Sequence, residues 1–170
     1  MILDKFRLDG KVAIVTGSST GLGQGISQGL AEAGAAVVGV DYVPSPETKR
    51  NIEAMGGKFL EVVADLMSIA PIPEIIEKAL ARFGRLDILV NNAGIIRRED
   101  AIDFSEKNWD DVMNINAKTV FFFSQAAARR FIAQKTGGKI INIASMLSFQ
   151  GGIRIPSYTA SKSAVAGLTR

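Results

Sequence analysis

Five apolar runs of strand length alternate with segments of helical period along this chain: KVAIVT at 11–16, AVVGVD at 36–41, KFLEVV at 58–63, DILV at 87–90 and KIINIA at 139–144. Each switch falls at Gly, Pro or Asn-rich punctuation. The intervening segments read as helices from about Gly23 to Glu32, from Pro46 to Met55, from Pro71 and Pro73 to Gly84, and from Trp109 to Gln134 with a break near Asn116. A last helix starts at Pro156 and carries Tyr158, Lys162 and Leu168. Strand and helix in strict alternation specify an α/β protein with a parallel sheet. Right-handed crossovers favour a doubly wound, Rossmann-like sheet of order 3-2-1-4-5, whose ligand crevice opens where the order reverses, between strands one and four. No internal repeat, low-complexity tract or linker divides the chain, so residues 1–170 are expected to form one domain.

Residues just past the carboxyl ends of the strands therefore carry the functional reading. The chain contains no His and no Cys. That excludes an imidazole base, a thiol nucleophile, a disulfide framework and a Cys/His zinc site, and no metal site is expected. The 20 Lys and Arg are scattered among 17 Asp and Glu, as in Arg97-Arg98-Glu99-Asp100, so the net charge of +3 does not form a basic stripe for nucleic acid. Met1 to Lys11 lacks the apolar core of a secretion signal, and no apolar run approaches the roughly 18 residues that span a bilayer. A soluble, cytoplasmic protein with a small-molecule substrate is expected. Its chemistry must use hydroxyls, amines, carboxylates or a cofactor.

Strand one runs into Thr16-Gly17-Ser18-Ser19-Thr20-Gly21-Leu22-Gly23. Glycines at a strand-to-helix turn let the backbone approach a pyrophosphate, and the helix N-terminus offers unpaired N–H groups with a positive dipole end. Asp41 closes strand two, where a carboxylate accepts hydrogen bonds from an adenosine ribose diol and repels a 2′-phosphate. No Lys or Arg lies between Gly17 and Gly25 to pair with such a phosphate. NAD is thereby expected over NADP. Asp65, after strand three, is placed either to meet the adenine edge or to cap the next helix.

Tyr158 and Lys162 are spaced i, i+4 and share one helix face. A free tyrosine, with a pKa near 10, is a poor base at neutral pH, but an adjacent ammonium and a helix N-terminus both stabilise its phenolate. Ser145 ends strand five on the same side of the sheet, and Asn91-Asn92-Ala93-Gly94 ends strand four.

T-G-x-x-x-G-x-G, N-N-A-G, the serine and Y-x-x-x-K, in that order, resemble the short-chain dehydrogenase/reductase family over the whole chain. The resemblance implies that Tyr158 is the general acid/base, that Lys162 holds the nicotinamide ribose, that Ser145 hydrogen-bonds the substrate oxygen, and that the Asn116 main chain holds a water linked to the lysine. It further implies cofactor contacts from Gly17, Ser19, Thr20, Gly21, Leu22, Gly23, Asp41, Asp65, Leu66, Asn92, Ala93, Gly94, Tyr158 and Lys162. Homotetramers built on the long helix and the Tyr158 helix are also implied.

Longer segments, MILDKFRLDGKVAIVTG, NNAGIIRREDAIDFSEKNWDDVMNIN and INIASMLSFQGGIRIPSYTASK, are similar to the family's 2-deoxy-D-gluconate 3-dehydrogenase (2-dehydro-3-deoxy-D-gluconate 5-dehydrogenase) group. That implies a sugar-acid substrate, whose carboxylate needs a cation: Arg97, Arg98 and Arg154 are the candidates. Arg97 and Arg98 can equally pair with Glu99 and Asp100. Gln150 and Met146 lie in the loop between Ser145 and Tyr158 and are candidates to shape the pocket, with core packing the alternative for Met146. Family members continue past the Y-x-x-x-K helix, which makes strand five an expected exposed edge and this chain an expected fragment of a longer enzyme. Alternatives are a gluconate 5-dehydrogenase, a 3-oxoacyl thioester reductase, or a catalytically silent nucleotide-binding module.

Overall fold

The computed structural model describes residues 2–170. Its strands are β1 (Val12–Thr16), β2 (Ala36–Asp41), β3 (Phe59–Val63), β4 (Ile88–Asn91) and β5 (Lys139–Asn142). All pair in parallel in the order β3-β2-β1-β4-β5, as the crossover argument requires. Its helices are α1 (Gly21–Glu32), α2 (Pro46–Ala54), α3 (Ile72–Phe83), α4 (Glu106–Met113), α5 (Thr119–Ala133) and α6 (Pro156–Thr169).

The central strand β1 is buried along its whole length because helices cover both faces of the sheet. Successive side chains point to opposite faces. Ala13 and Val15 pack with Ala31 of α1 and Ile52 of α2, whereas Ile14 packs with Ile75 of α3 and Phe123 of α5. Each fully buried aliphatic or aromatic side chain contributes about 1.5–3 kcal/mol relative to exposure. Truncating Ile14 or Phe123 therefore attacks the core that holds β1 beside β4.

Several boundaries differ from the sequence reading. α1 starts at Gly21 rather than Gly23, because Thr20 is still extended at φ −148° and serves as the N-cap. Asp87 does not join β4; its carboxylate instead accepts the Val12 N–H at 3.0 Å and ties the start of β1. β5 ends at Asn142, after which the chain turns toward Ser145. A short 3-10 turn, Ile2–Phe6, precedes β1 where no element was expected.

The expected break near Asn116 is a π turn, Asn114–Lys118, that carries α4 into α5 without interruption. The extra residue of a π turn rotates the side chains that follow and often marks a functional position. Here it places Asn116 in the protein interior. The edge strand β5 is half exposed, with Ile141 at 46%. Among the described residues, no helix is long and apolar enough to cross a membrane.

Candidate active site

The glycine turn is held from β4. Thr16 Oγ1 accepts the N–H groups of Asn92 (3.0 Å) and Ala93 (2.9 Å), while Asn92 Nδ2 donates to the carbonyls of Thr16 (2.9 Å) and Gly17 (3.2 Å). A Cβ at Gly23 would run into the Gly17 carbonyl, so the turn closes this tightly only around a glycine. Gly21, at φ +58°, faces open space instead. The result is a backbone cradle at the N-terminus of α1, where N–H groups lack intrahelical partners. Thr20 caps that terminus without a side-chain bond, and Leu22 is exposed beside it.

Asp41 is 7% exposed, and its two carboxylate oxygens accept from Ser19 N–H (2.9 Å) and Tyr42 N–H (2.8 Å). It therefore locks the glycine turn to the end of β2. A cavity of about 440 Å³ opens there, between Gly17, Asp41, Asp65, Leu66 and Ala93. Asp65 Oδ1 accepts the Met67 N–H at 2.9 Å, a turn-capping bond rather than a helix cap, and the residue stays exposed on the cavity. Leu66 is buried, and its carbonyl accepts from Thr119 Oγ1 at 2.9 Å.

A second cavity, about 570 Å³, lies against the first, with Ile95 lining both. Its walls include Leu22, Asn92, Gly94, Ser145, Tyr158 and Lys162. The residues singled out for acid-base work thus converge on one space. Lys162 is buried at 5% exposure; its ammonium donates to the Ile143 carbonyl at 2.6 Å and lies 5.7 Å from the centre of the Tyr158 ring. Burial holds its pKa below the ordinary lysine value.

Ser145 caps a 3-10 turn, Met146–Ser148, and its Oγ accepts the Leu147 N–H at 3.2 Å. With that lone pair engaged, the hydroxyl proton is free to be donated toward the cavity.

Asn116 is tied into the site by its side chain. Oδ1 accepts the Ile95 N–H (2.8 Å), and Nδ2 donates to the Ile95 carbonyl (2.9 Å) and to Ser161 Oγ (3.2 Å). It thereby joins the segment after β4 to α6. Thr16, Ser148 and Ser161 were not expected as site residues, yet their hydroxyls connect the expected ones.

The substrate candidates separate. Arg97 pairs with Asp111 at 3.6 Å and faces the first cavity, while Arg154 pairs through Nε with Asp100 at 2.8 Å. Glu99 accepts from Ser105 N–H (2.8 Å) and Asn108 Nδ2 (2.5 Å), and these bonds hold its carboxyl below the usual range. The expected pairing of Arg97 and Arg98 with Glu99 and Asp100 does not form, because those acids are engaged elsewhere. Arg98 is exposed and has no ion pair among the described residues. Gln150 is exposed in the loop between Ser145 and Tyr158. Met146 is 71% exposed on the cavity rim, not core. Among the described residues no group of acids could hold a metal ion.

The short chain dehydrogenase family matches residues 11–170. The whole chain is 65% identical to the 2-dehydro-3-deoxy-D-gluconate 5-dehydrogenase of Escherichia coli and 66% identical to that of Dickeya dadantii, covering 67% of each. A crystal structure from Agrobacterium tumefaciens with bound NADP superposes with a TM-score of 0.85 at 49% identity, over 96% of this chain and 65% of that one. The chain thus spans about two thirds of the length of the relatives it matches.

Proposed function

Because this chain belongs to the short chain dehydrogenase family, we propose that it serves an NAD-dependent dehydrogenase that interconverts a hydroxyl and a ketone on a sugar acid, 2-dehydro-3-deoxy-D-gluconate or 2-deoxy-D-gluconate. The observation that carries the reading is the convergence of Ser145, Tyr158 and Lys162 on one cavity that adjoins the glycine cradle. The identity to the two bacterial 5-dehydrogenases supports the substrate class. The same reading takes residues 1–170 as one dinucleotide-binding domain and, following the family resemblance, a cytoplasmic homotetramer as the working assembly.

The residues present fit a dinucleotide. The open face at Gly21 and the free N–H groups at the start of α1 suit a pyrophosphate, and Asp41 with Asp65 edges a cavity suited to adenosine. Asn92, Ala93 and Gly94 would line the path between the cavities, with Lys162 beside the nicotinamide ribose. When bound, the dinucleotide takes hydride from the substrate carbon or returns it.

The protein's own groups handle the proton and the oxygen. In the oxidising direction Tyr158 Oη takes the hydroxyl proton as the C–H bond breaks and C=O forms; in the reducing direction it gives that proton back to the carbonyl oxygen. Ser145 donates its hydroxyl proton to the same oxygen and holds the reacting carbon in place. Arg98, exposed and without an ion pair among the described residues, is the arginine left to receive the substrate carboxylate.

A specific observation favours a second cofactor reading: the Agrobacterium tumefaciens structure holds NADP. Asp41 decides between the two, since its carboxylate opposes a 2′-phosphate. The test compares NAD and NADP turnover with 2-dehydro-3-deoxy-D-gluconate in the wild type and in Asp41→Ala. The reading predicts NAD preference in the wild type and a shift toward NADP in the variant. A wild type that prefers NADP removes the NAD assignment, and one that turns over no sugar acid removes the substrate class.

A further inference from the structure

We propose that Ser148 is a positioning residue that fixes Ser145 relative to the helix bearing Tyr158 and Lys162. The inference rests on the dehydrogenase reading above and deepens it. Ser148 Oγ accepts the backbone N–H of Ser145 at 3.3 Å and donates its single proton to the Lys162 carbonyl at 2.7 Å. Ser145 caps the same turn in return, so the two serines form a reciprocal capping box. One hydroxyl, with one proton and one engaged lone pair, therefore spans from the backbone of the substrate-facing serine to the backbone of the catalytic lysine.

The covalent route between Ser145 and Tyr158 runs through a loop that is largely exposed. Phe149, Gln150, Gly151, Ile153 and Arg154 are exposed, and Arg154 takes a left-handed φ of +61°, a conformation costly for a residue with a Cβ. Lys162 is instead clamped to the segment after β5 at two points, by its ammonium on Ile143 and by its carbonyl under Ser148. Because a misplacement of about 1 Å can cost roughly a hundredfold in rate, a bond that sets the serine-to-helix spacing belongs to the catalytic design.

The test uses Ser148→Ala and Ser148→Thr in two measurements. Amide hydrogen exchange reads the bond without turnover: the Ser145 amide should exchange about tenfold faster in the alanine variant and return to wild-type behaviour in the threonine variant, which keeps the hydroxyl. Kinetics, normalised to dinucleotide-binding sites, should show kcat about tenfold lower in the alanine variant, with the KM for dinucleotide unchanged and kcat restored by threonine. Unchanged exchange at Ser145, or a kcat that stays at the wild-type level while exchange rises, overturns the proposal. An alanine variant that does not fold leaves the decision to threonine, where loss of slow exchange or of kcat with the hydroxyl kept also overturns it. A wild type without sugar-acid turnover defeats the substrate reading separately, while the exchange measurement still judges Ser148.

Discussion

The Lys162 ammonium is anchored on the Ile143 carbonyl oxygen at 2.6 Å, two residues before the serine that faces the same cavity. That bond keeps a cation inside the fold, at a cost. Because burial lowers the Lys162 pKa in the folded state, the unfolded chain binds the proton more readily. The sign follows directly: the penalty for burying the charge is fully present at neutral pH, shrinks as pH rises through the folded pKa, and vanishes above the unfolded value near 10.4. Urea denaturation of wild type and Lys162→Met at pH 7 and pH 9.5 should show the stability difference moving in favour of wild type at the higher pH. A difference that stays constant, or moves the other way, contradicts a charged, desolvated Lys162.

Asp87 gives the opposite dependence. Desolvation pushes its carboxyl up, but the Arg85 guanidinium at 2.6 and 2.7 Å, the Val12 N–H and the charge of Lys11 outweigh that and hold it below the usual range. A carboxylate with a depressed folded pKa contributes stability that is present above its unfolded pKa of about 3.9 and lost as pH falls through the folded value. Asp87→Asn should cost about 2 kcal/mol at pH 7. Its loss should shrink toward pH 2, which thermal unfolding of both proteins across pH 7 to 2 measures.

Gly23→Ala should damage the cofactor cradle specifically. The added methyl would meet the Gly17 carbonyl and Asn92 Nδ2, and forcing that contact costs about 1–3 kcal/mol. Weakened dinucleotide binding by fluorescence titration, with the sheet still folded by circular dichroism, is the expected outcome. Unaltered binding would show that the turn relaxes freely.

These groups differ in how far the sequence discloses them. The strand order and the convergence of Ser145, Tyr158 and Lys162 were legible because alternation, crossover handedness and i, i+4 spacing act locally. Thr16 and Ser148 were not singled out, since a hydroxyl's value depends on which distant backbone groups arrive beside it: Asn92 and Ala93 for one, Lys162 for the other. Thr16 did carry a signal, standing at the last residue of β1 directly before the turn. The π turn at Asn114–Lys118 looked like a helix break because a single extra residue shifts periodicity much as an interruption does. The pairing of Asp100 with Arg154 was out of reach for a related reason, since it joins two loops that follow different strands.

Of the three arginines offered for a substrate carboxylate, Arg98 alone keeps its charge uncommitted, with Arg97 held by Asp111 and Arg154 by Asp100. Arg98→Ala should raise the KM for a sugar acid about tenfold or more, in line with a lost charge-assisted hydrogen bond, and leave the KM for dinucleotide unchanged. Steady-state kinetics on each substrate reads the split. An unchanged sugar-acid KM removes Arg98 from the site.

The central claim is that Tyr158 exchanges a proton with a substrate oxygen beside a bound dinucleotide. Tyr158→Phe removes one oxygen atom and leaves the ring beside Lys162. Its NADH-linked turnover of 2-dehydro-3-deoxy-D-gluconate should fall about 100-fold or more against wild type, while dinucleotide binding is retained. A Tyr158→Phe variant that turns over at the wild-type rate would contradict the account.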